Sequence, residues 1–255
     1  MIDIKDLSFS YPRRDNKVLD GIDLQCEDGS INILLGLNGC GKTTLIKTLA
    51  GILKPKTGSI AYYGNDFLSL KVEDRSKIVS YVPQNSAITG DFLVSDYLLF
   101  GTANTLGFYE SPGEKQKEKT KKCLERFGIS HLADKRLGEI SGGERQIVSI
   151  CAAMVQDTKI ILLDEPTSAL DMKNQNKVLL LLKEIVNEEN KTVLMSTHNP
   201  NHALYLNGQV FIMKDGRIID KGTATDVVRV ERLKILYGER LCYSKNLEYD
   251  ELSFY

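Results

Sequence analysis

Apolar positions in the first third of the chain fall into short runs separated by turn formers. Ile2 to Ser10, Ile22 to Cys26 and Ser30 to Leu35 alternate or run apolar as strands do, with Gly21 and Asp28-Gly29 between them. Ile31, Ile33, Leu34 and Leu35 predict a short buried strand that ends at Gly36. From Lys42 the spacing changes: Leu45, Ile46, Leu49 and Ile52 follow a helical period, and Gly51, Pro55 and Gly58 predict where that helix frays and stops. Ser59 to Tyr63 and Ile78 to Val82 return to strand, the second closed by Pro83.

Between Val94 and Gly138 the pattern is helical. Leu98 and Leu99 come first, then Pro112 opens a lysine-rich segment in which Cys123, Leu124 and Phe127 share a face. The run EKQKEKTKK within it reads as a solvated helix face. After Ser141 helix and strand alternate: helix to about Gln156, strand Ile160 to Leu163, helix Asn174 to Glu188, strand Val193 to Ser196, strand Val210 to Met213, and Arg217 to Asp220 after the Asp215-Gly216 turn. Such alternation predicts a mostly parallel sheet covered on both faces, here interrupted by a helical insertion. With no repeat period and no low-complexity linker, two lobes in one unit are expected.

The 33 basic and 34 acidic side chains leave a net charge of −1, which argues against affinity resting on a basic face for nucleic acid or anionic lipid. A hydrophobic fraction of 42% excludes disorder as the ground state. No stretch approaches the roughly 18 consecutive apolar residues of a bilayer-crossing helix, and MIDIKDLSFSYP has no export-signal pattern, so a soluble, unexported chain is expected. Cys26, Cys40, Cys123, Cys151 and Cys242 form no CxxC pair, which predicts free thiols in a reducing cytoplasm rather than disulfides or a zinc site.

Candidate chemistry begins where the third strand ends. Gly36-Leu37-Asn38-Gly39-Cys40-Gly41-Lys42-Thr43 matches GxxxxGK[ST] between an apolar strand and an amphipathic helix, the context this phosphate loop requires. Glycines let backbone N–H groups converge on an anion, and the helix N-terminus adds roughly half a positive charge. Lys42 is expected to reach the β- and γ-phosphates of a nucleotide and Thr43 to offer its hydroxyl to Mg²⁺, with Thr44 beside them. A cysteine near a helix N-terminus can have a lowered pKa, although the plainer reading of Cys40 is a small loop residue.

Ile160 to Leu163 is an apolar strand ending in Asp164-Glu165, whose carboxylates point to opposite faces and so can do different work. Behind a phosphate loop, Asp164 is the candidate Mg²⁺ ligand and Glu165 the candidate base for the attacking water. Ile140-Ser141-Gly142-Gly143-Glu144-Arg145-Gln146 opens another helix. On its own, Ser141-x-x-Glu144 is a capping box.

The ordered set of phosphate loop, SGGE, LLDEPTSALD and Ser196-Thr197-His198 closely resembles the ATP-binding subunit of ABC transporters, over roughly Met1 to Val230. The resemblance implies an α/β fold: a P-loop NTPase (RecA-like) core with an N-terminal antiparallel β-subdomain over 1–86 and 139–235, an inserted α-helical subdomain over 87–138, and a tail over 236–255. It also implies that Tyr11 stacks on adenine, that Gln84 lies near Mg²⁺ and the attacking water, and that Ser141, Gly142 and Gly143 contact the γ-phosphate held by a second subunit. Asp171 would be the D-loop aspartate and His198 the γ-phosphate switch. Two positions depart from the common form of the signature: Ile140 stands for leucine and Glu144 for glutamine.

By the same resemblance two subunits form a homodimer around two ATP and drive integral membrane permease subunits that dock near the Gln84 loop and helical subdomain. An extracytoplasmic solute-binding protein acts indirectly, and nucleic acid is not a partner. Moving such a dimer from mostly open to mostly closed takes about 5.5 kcal/mol of differential affinity. LSLKVEDRSKIVSYVPQ, VSDYLLFGTANTLGFYES, ISGGERQ and LKILYGERLCYS are most similar to importers of ferric siderophores, haem or cobalamin. The alternatives are molybdate, zinc or manganese importers, a soluble ABC ATPase of iron-sulfur cluster assembly, and a P-loop phosphotransferase.

Overall fold

The computed structural model describes the chain apart from residues 13–15, 85–90, 107–109, 239–240, 246–249 and 255. In chain order, β1 (Ile2–Phe9), β2 (Leu19–Cys26) and β3 (Ile31–Leu35) lead into α1 (Lys42–Leu49), β4 (Thr57–Tyr62) and β5 (Asn65–Asp66). Then follow α2 (Val72–Ile78), β6 (Val79–Val82), α3 (Val94–Phe100), α4 (Glu114–Arg126), α5 (Gly142–Val155), β7 (Ile160–Leu163) and α6 (Met172–Glu189). The last third holds β8 (Thr192–Thr197), α7 (Pro200–Leu206), β9 (Gln209–Lys214), β10 (Arg217–Thr223), α8 (Ala224–Val227), α9 (Val230–Tyr237), β11 (Leu241–Lys245) and β12 (Asp250–Phe254).

The short apolar runs become the interior of a six-stranded sheet in the order β10-β9-β3-β8-β7-β6, parallel except for β10. Its side chains divide by the two-residue period of a strand. Leu34, Leu162, Leu194, Phe211 and Met213 enter one apolar cluster with α1 and with the antiparallel sheet β2-β1-β4-β5. Ile33, Leu35, Ile161, Leu163, Val193, Met195, Val210 and Ile212 enter the other, beneath α5 and α6. Burial on both faces is why these runs are continuous rather than alternating. The α3 residues Val94 and Leu98 and the α4 residue Leu124 belong to the second cluster, so the inserted helices share its apolar interior.

Parallel register brings four strand ends to one edge. Val82 pairs with Leu163, Leu163 with Met195, and Leu35 with both Thr197 and Ile212. The residues that follow, Gly36, Gln84, Asp164-Glu165 and His198, therefore emerge together at the carboxyl edge, where ligands of open α/β sheets bind.

Several elements differ from the sequence expectation. The first helix stops at Leu49, and Gly51 at φ +73° turns the chain so that Ile52 is exposed rather than part of its buried stripe. The second strand begins at Leu19, three residues early, because Gly21 at φ +63° accommodates an irregular register against β1. Helix α2 carries no buried residue and so no apolar period to read. Helix α7 is announced by Asn199, which accepts from the Asn201 N–H at 2.9 Å, and by Pro200 at its first position.

Candidate nucleotide site

The phosphate loop is shaped by what its glycines allow. A Cβ on Gly36 would sit 2.4 Å from the Met213 carbonyl oxygen, so the loop leaves β3 in direct contact with β9. Gly39 and Gly41 have φ of +82° and +111°, and Gly41 caps α1 without any side-chain hydrogen bond. The first N–H groups of α1 thus have no side-chain acceptor and face a cleft of about 350 Å³. Asn38, Gly39, Gly41, Lys42, Thr43 and Thr44 line that cleft, and Gln84 and Glu165 close it.

Cys40 turns its thiol away under the loop, where a Cβ on Gly36 would come within 2.7 Å of its Sγ. Burial pushes the thiol up, which agrees with the plainer reading of Cys40 as a small loop residue. Val18, which the sequence reading missed, lines the cleft, whereas Tyr11 is not among the lining residues. Tyr11 sets its ring edge-on to Phe9 at 4.9 Å and its hydroxyl 3.2 Å from Thr44 Oγ1, beside the start of α1.

Lys42 is 4% exposed, and its ammonium donates to the Gly36 and Leu37 carbonyls at 2.8 and 3.0 Å and pairs with Glu165 Oε1 at 3.1 Å. The other Glu165 oxygen accepts from Gln84 Nε2 at 3.2 Å and lies 3.2 Å from His198 Nδ1. Glu165 itself is held at φ +44°, a left-handed conformation that costs a non-glycine residue about 1–3 kcal/mol and turns its side chain back over the sheet edge.

Asp164 points the opposite way. Its Oδ1 accepts from Thr43 Oγ1 at 3.0 Å and from Ser196 Oγ at 2.8 Å, while Oδ2 is buried with no partner. Burial pushes its carboxyl up, against the opposing pull of the Ser196 and Thr43 hydroxyls. The Ser196 hydroxyl does a second task by accepting the Glu165 N–H at 3.0 Å, so one fully buried serine fixes both carboxylate residues. The sequence signal for it was a small hydroxyl residue at a strand end, too common to single out.

Ser141, Gly142, Gly143 and Asp171 are not among the residues lining this cleft. Ser141 caps α5 in the capping box its spacing predicts: the Glu144 N–H donates to Ser141 Oγ at 3.3 Å, and the Ser141 N–H donates to Glu144 Oε2 at 2.7 Å. The Ser141 N–H and the Ser141 hydroxyl, both donating to Glu144 Oε2 at 2.7 Å, hold the Glu144 carboxyl below its usual range. Ser141 and Gly142 are exposed, so this second glycine-bearing helix start faces outward. Asp171 likewise caps α6, accepting the Asn174 N–H at 2.8 Å.

The Ser196 bridge makes a stability prediction. Ser196→Ala leaves the buried Glu165 N–H without an acceptor and is expected to cost about 1–3 kcal/mol, read as a lower urea midpoint. An unchanged midpoint would show that the bridge does not hold the two carboxylate residues.

Residues 19–168 match the ABC transporter family. A Helicobacter pylori protein named as an iron chelatin transport ATP-binding protein is 33% identical over 242 residues, 94% of each chain. The spermidine/putrescine import ATP-binding protein PotA of Borreliella afzelii is 35% identical over 236 residues, 92% of this chain and 66% of that one. Among solved structures, a chain described as part of a metal-chelate type ABC transporter in an inward-facing conformation superposes with a TM-score of 0.83 at 28% identity, covering 100% of this chain and 96% of that one. No helix among the described residues is long and apolar enough to cross a membrane. With its carboxyl-edge phosphate loop, its Asp164-Glu165 pair and these matches along its length, the chain belongs to the ABC transporter family as an ATP-binding protein, an ATPase coupled to transport.

Proposed function

We propose that the chain is the ATPase subunit of an importer of iron chelates, working as a pair of copies around two Mg-ATP on the cytoplasmic side of a membrane. The observation that carries this reading is the meeting of Lys42, Gln84 and His198 on Glu165, while the exposed helix start at Ser141 lies outside that cleft. One copy supplies the loop and the base, and the exposed Ser141 and Gly142 with the half-buried Gly143 of a second copy supply N–H groups for the γ-phosphate, with Asp171 beside them.

In that assembly the N–H groups of Gly36 to Thr44, with Asn38, Gly39, Cys40 and Gly41 at the bend, hold the β- and γ-phosphates, and Tyr11 and Val18 flank the nucleoside. Lys42 exchanges the carboxylate of Glu165 for phosphate oxygens. Glu165, freed at Oε1, accepts a proton from the attacking water, which Gln84 orients while His198 meets the γ-phosphate. Thr43, Asp164 and Gln84 would hold Mg²⁺: they offer the oxygen donors a hard cation takes, and Asp164 Oδ2 is a buried acceptor without a partner. When bound with ATP the ion supplies positive charge against the phosphates.

Integral permease subunits dock near Gln84 and the inserted helices of 87–138, though residues 85–90 lie outside those described. The iron-chelate assignment is supported by a relative and a solved structure whose names both specify metal chelates. Polyamine import is the competing assignment, favoured by the PotA match.

Glu165→Gln is expected to bind ATP, to hydrolyse it about 10²- to 10⁴-fold more slowly, and to sediment as a dimer with ATP and Mg²⁺. Adding Ser141→Arg to that variant should return it to monomer. Near-normal turnover, or dimers that persist with Ser141→Arg, would contradict the shared site. In complexes reconstituted with the membrane subunits that co-purify, a ferric siderophore should raise ATP hydrolysis and spermidine should not; the reverse would assign the importer to polyamines.

A further inference from the structure

His198 meets Glu165 through a ring that is 51% exposed at its side chain, so the contact depends on how the backbone at 198 is held. The neighbouring residues form a closed hydrogen-bonded turn. The Asn199 N–H donates to Thr197 Oγ1 at 3.0 Å, the Asn201 N–H to Asn199 Oδ1 at 2.9 Å, and His202 Nδ1 lies 3.1 Å from Thr197 Oγ1. The carbonyl of His198 is held from elsewhere in the chain: the Tyr237 hydroxyl donates to it at 2.6 Å.

Tyr237 ends α9, whose Leu233 and Leu236 are sunk in the larger apolar cluster, so its phenol is presented from an anchored element. Burial pushes that phenol up, which keeps it a proton donor throughout the neutral range. The residue lies well beyond position 168, where the family match stops, in the segment LKILYGERLCYS, which the sequence singles out for its resemblance to importers and not for a role at the site. The same segment continues past Gly238 into β11 and β12, and β12 runs beside α7, which starts two residues after His198.

We propose that Tyr237 is a positioning residue for ATP hydrolysis: by binding the His198 carbonyl it holds that imidazole against Glu165, and so couples the C-terminal segment to the site. This rests on the reading of His198 as the residue that meets the γ-phosphate. A general packing role for Tyr237 would lower stability or nucleotide affinity. A positioning role lowers kcat while leaving KM for ATP in place, and disappears once the imidazole is gone.

The test is the ATPase of the full chain as wild type, Tyr237→Phe, His198→Ala and the double variant, with a thermal melt of each. Phenylalanine keeps the ring and removes the donor. The expected result is a fall in kcat of roughly three- to tenfold for Tyr237→Phe, an unchanged KM, and no further fall in the His198→Ala background. Unchanged kcat in Tyr237→Phe beside a collapsed His198→Ala would overturn the proposal and leave the reading of His198 intact. An equal fall in both backgrounds would also overturn it, because the effect would not pass through His198. Near-normal turnover in His198→Ala would remove the reading itself. If Tyr237→Phe melts early, Tyr237→Leu with the same kcat loss per degree would assign the residue to packing and overturn the proposal.

Discussion

A lysine and a glutamate, exposed at their side chains by only 4% and 7%, sit 3.1 Å apart where the strands of the large sheet end. Charges taken so far from water are tolerated only when paired and hydrogen-bonded, and removing one partner from such a pair typically costs about 3–5 kcal/mol. The fold meets that demand completely: Lys42 has two carbonyl oxygens as well as the carboxylate, and Glu165 has Gln84 and His198 as well as the ammonium. The pair is therefore preformed and internally neutral, and under the proposed function a triphosphate competes with Glu165 for Lys42. In that proposal the competition connects nucleotide binding to the release of Glu165 as the base.

Everything needed to hold the pair in place comes from the parallel register. Four strands end at one edge, and the loops that leave them carry Gly36, Gly39 and Gly41, Gln84, the two carboxylates and His198. Clusters on opposite faces fix the sheet, so the loops stand on a rigid edge. Ser196 beneath them and the left-handed Glu165 above turn two adjacent carboxylates to separate tasks, one toward Thr43 and one toward Lys42.

What the sequence made legible was chemistry that local pattern encodes. The glycine spacing of 36–41, the apolar run into Asp164-Glu165 and the buried strands all depend on residues close together in the chain. Ser141 forms the capping box that its spacing encodes, and its exposure is what the proposed contact with a second copy would use. Contacts between distant segments were not legible: the Ser196 bridge to β7, the Val18 wall of the cleft and the Tyr237 bond to His198 join residues that no local period relates. Helix α2 escaped because it buries nothing.

The competition for Lys42 is measurable without turnover. Affinity for a non-hydrolysable ATP analogue, taken with Mg²⁺ removed and at concentrations where the chain stays monomeric, compares wild type with a Glu165→Gln chain in which the carboxylate charge is gone. The account predicts tighter binding by the variant, because Lys42 no longer leaves an ion pair to meet phosphate. Equal or weaker binding would contradict it, showing that the pair does not stand between the loop and its nucleotide.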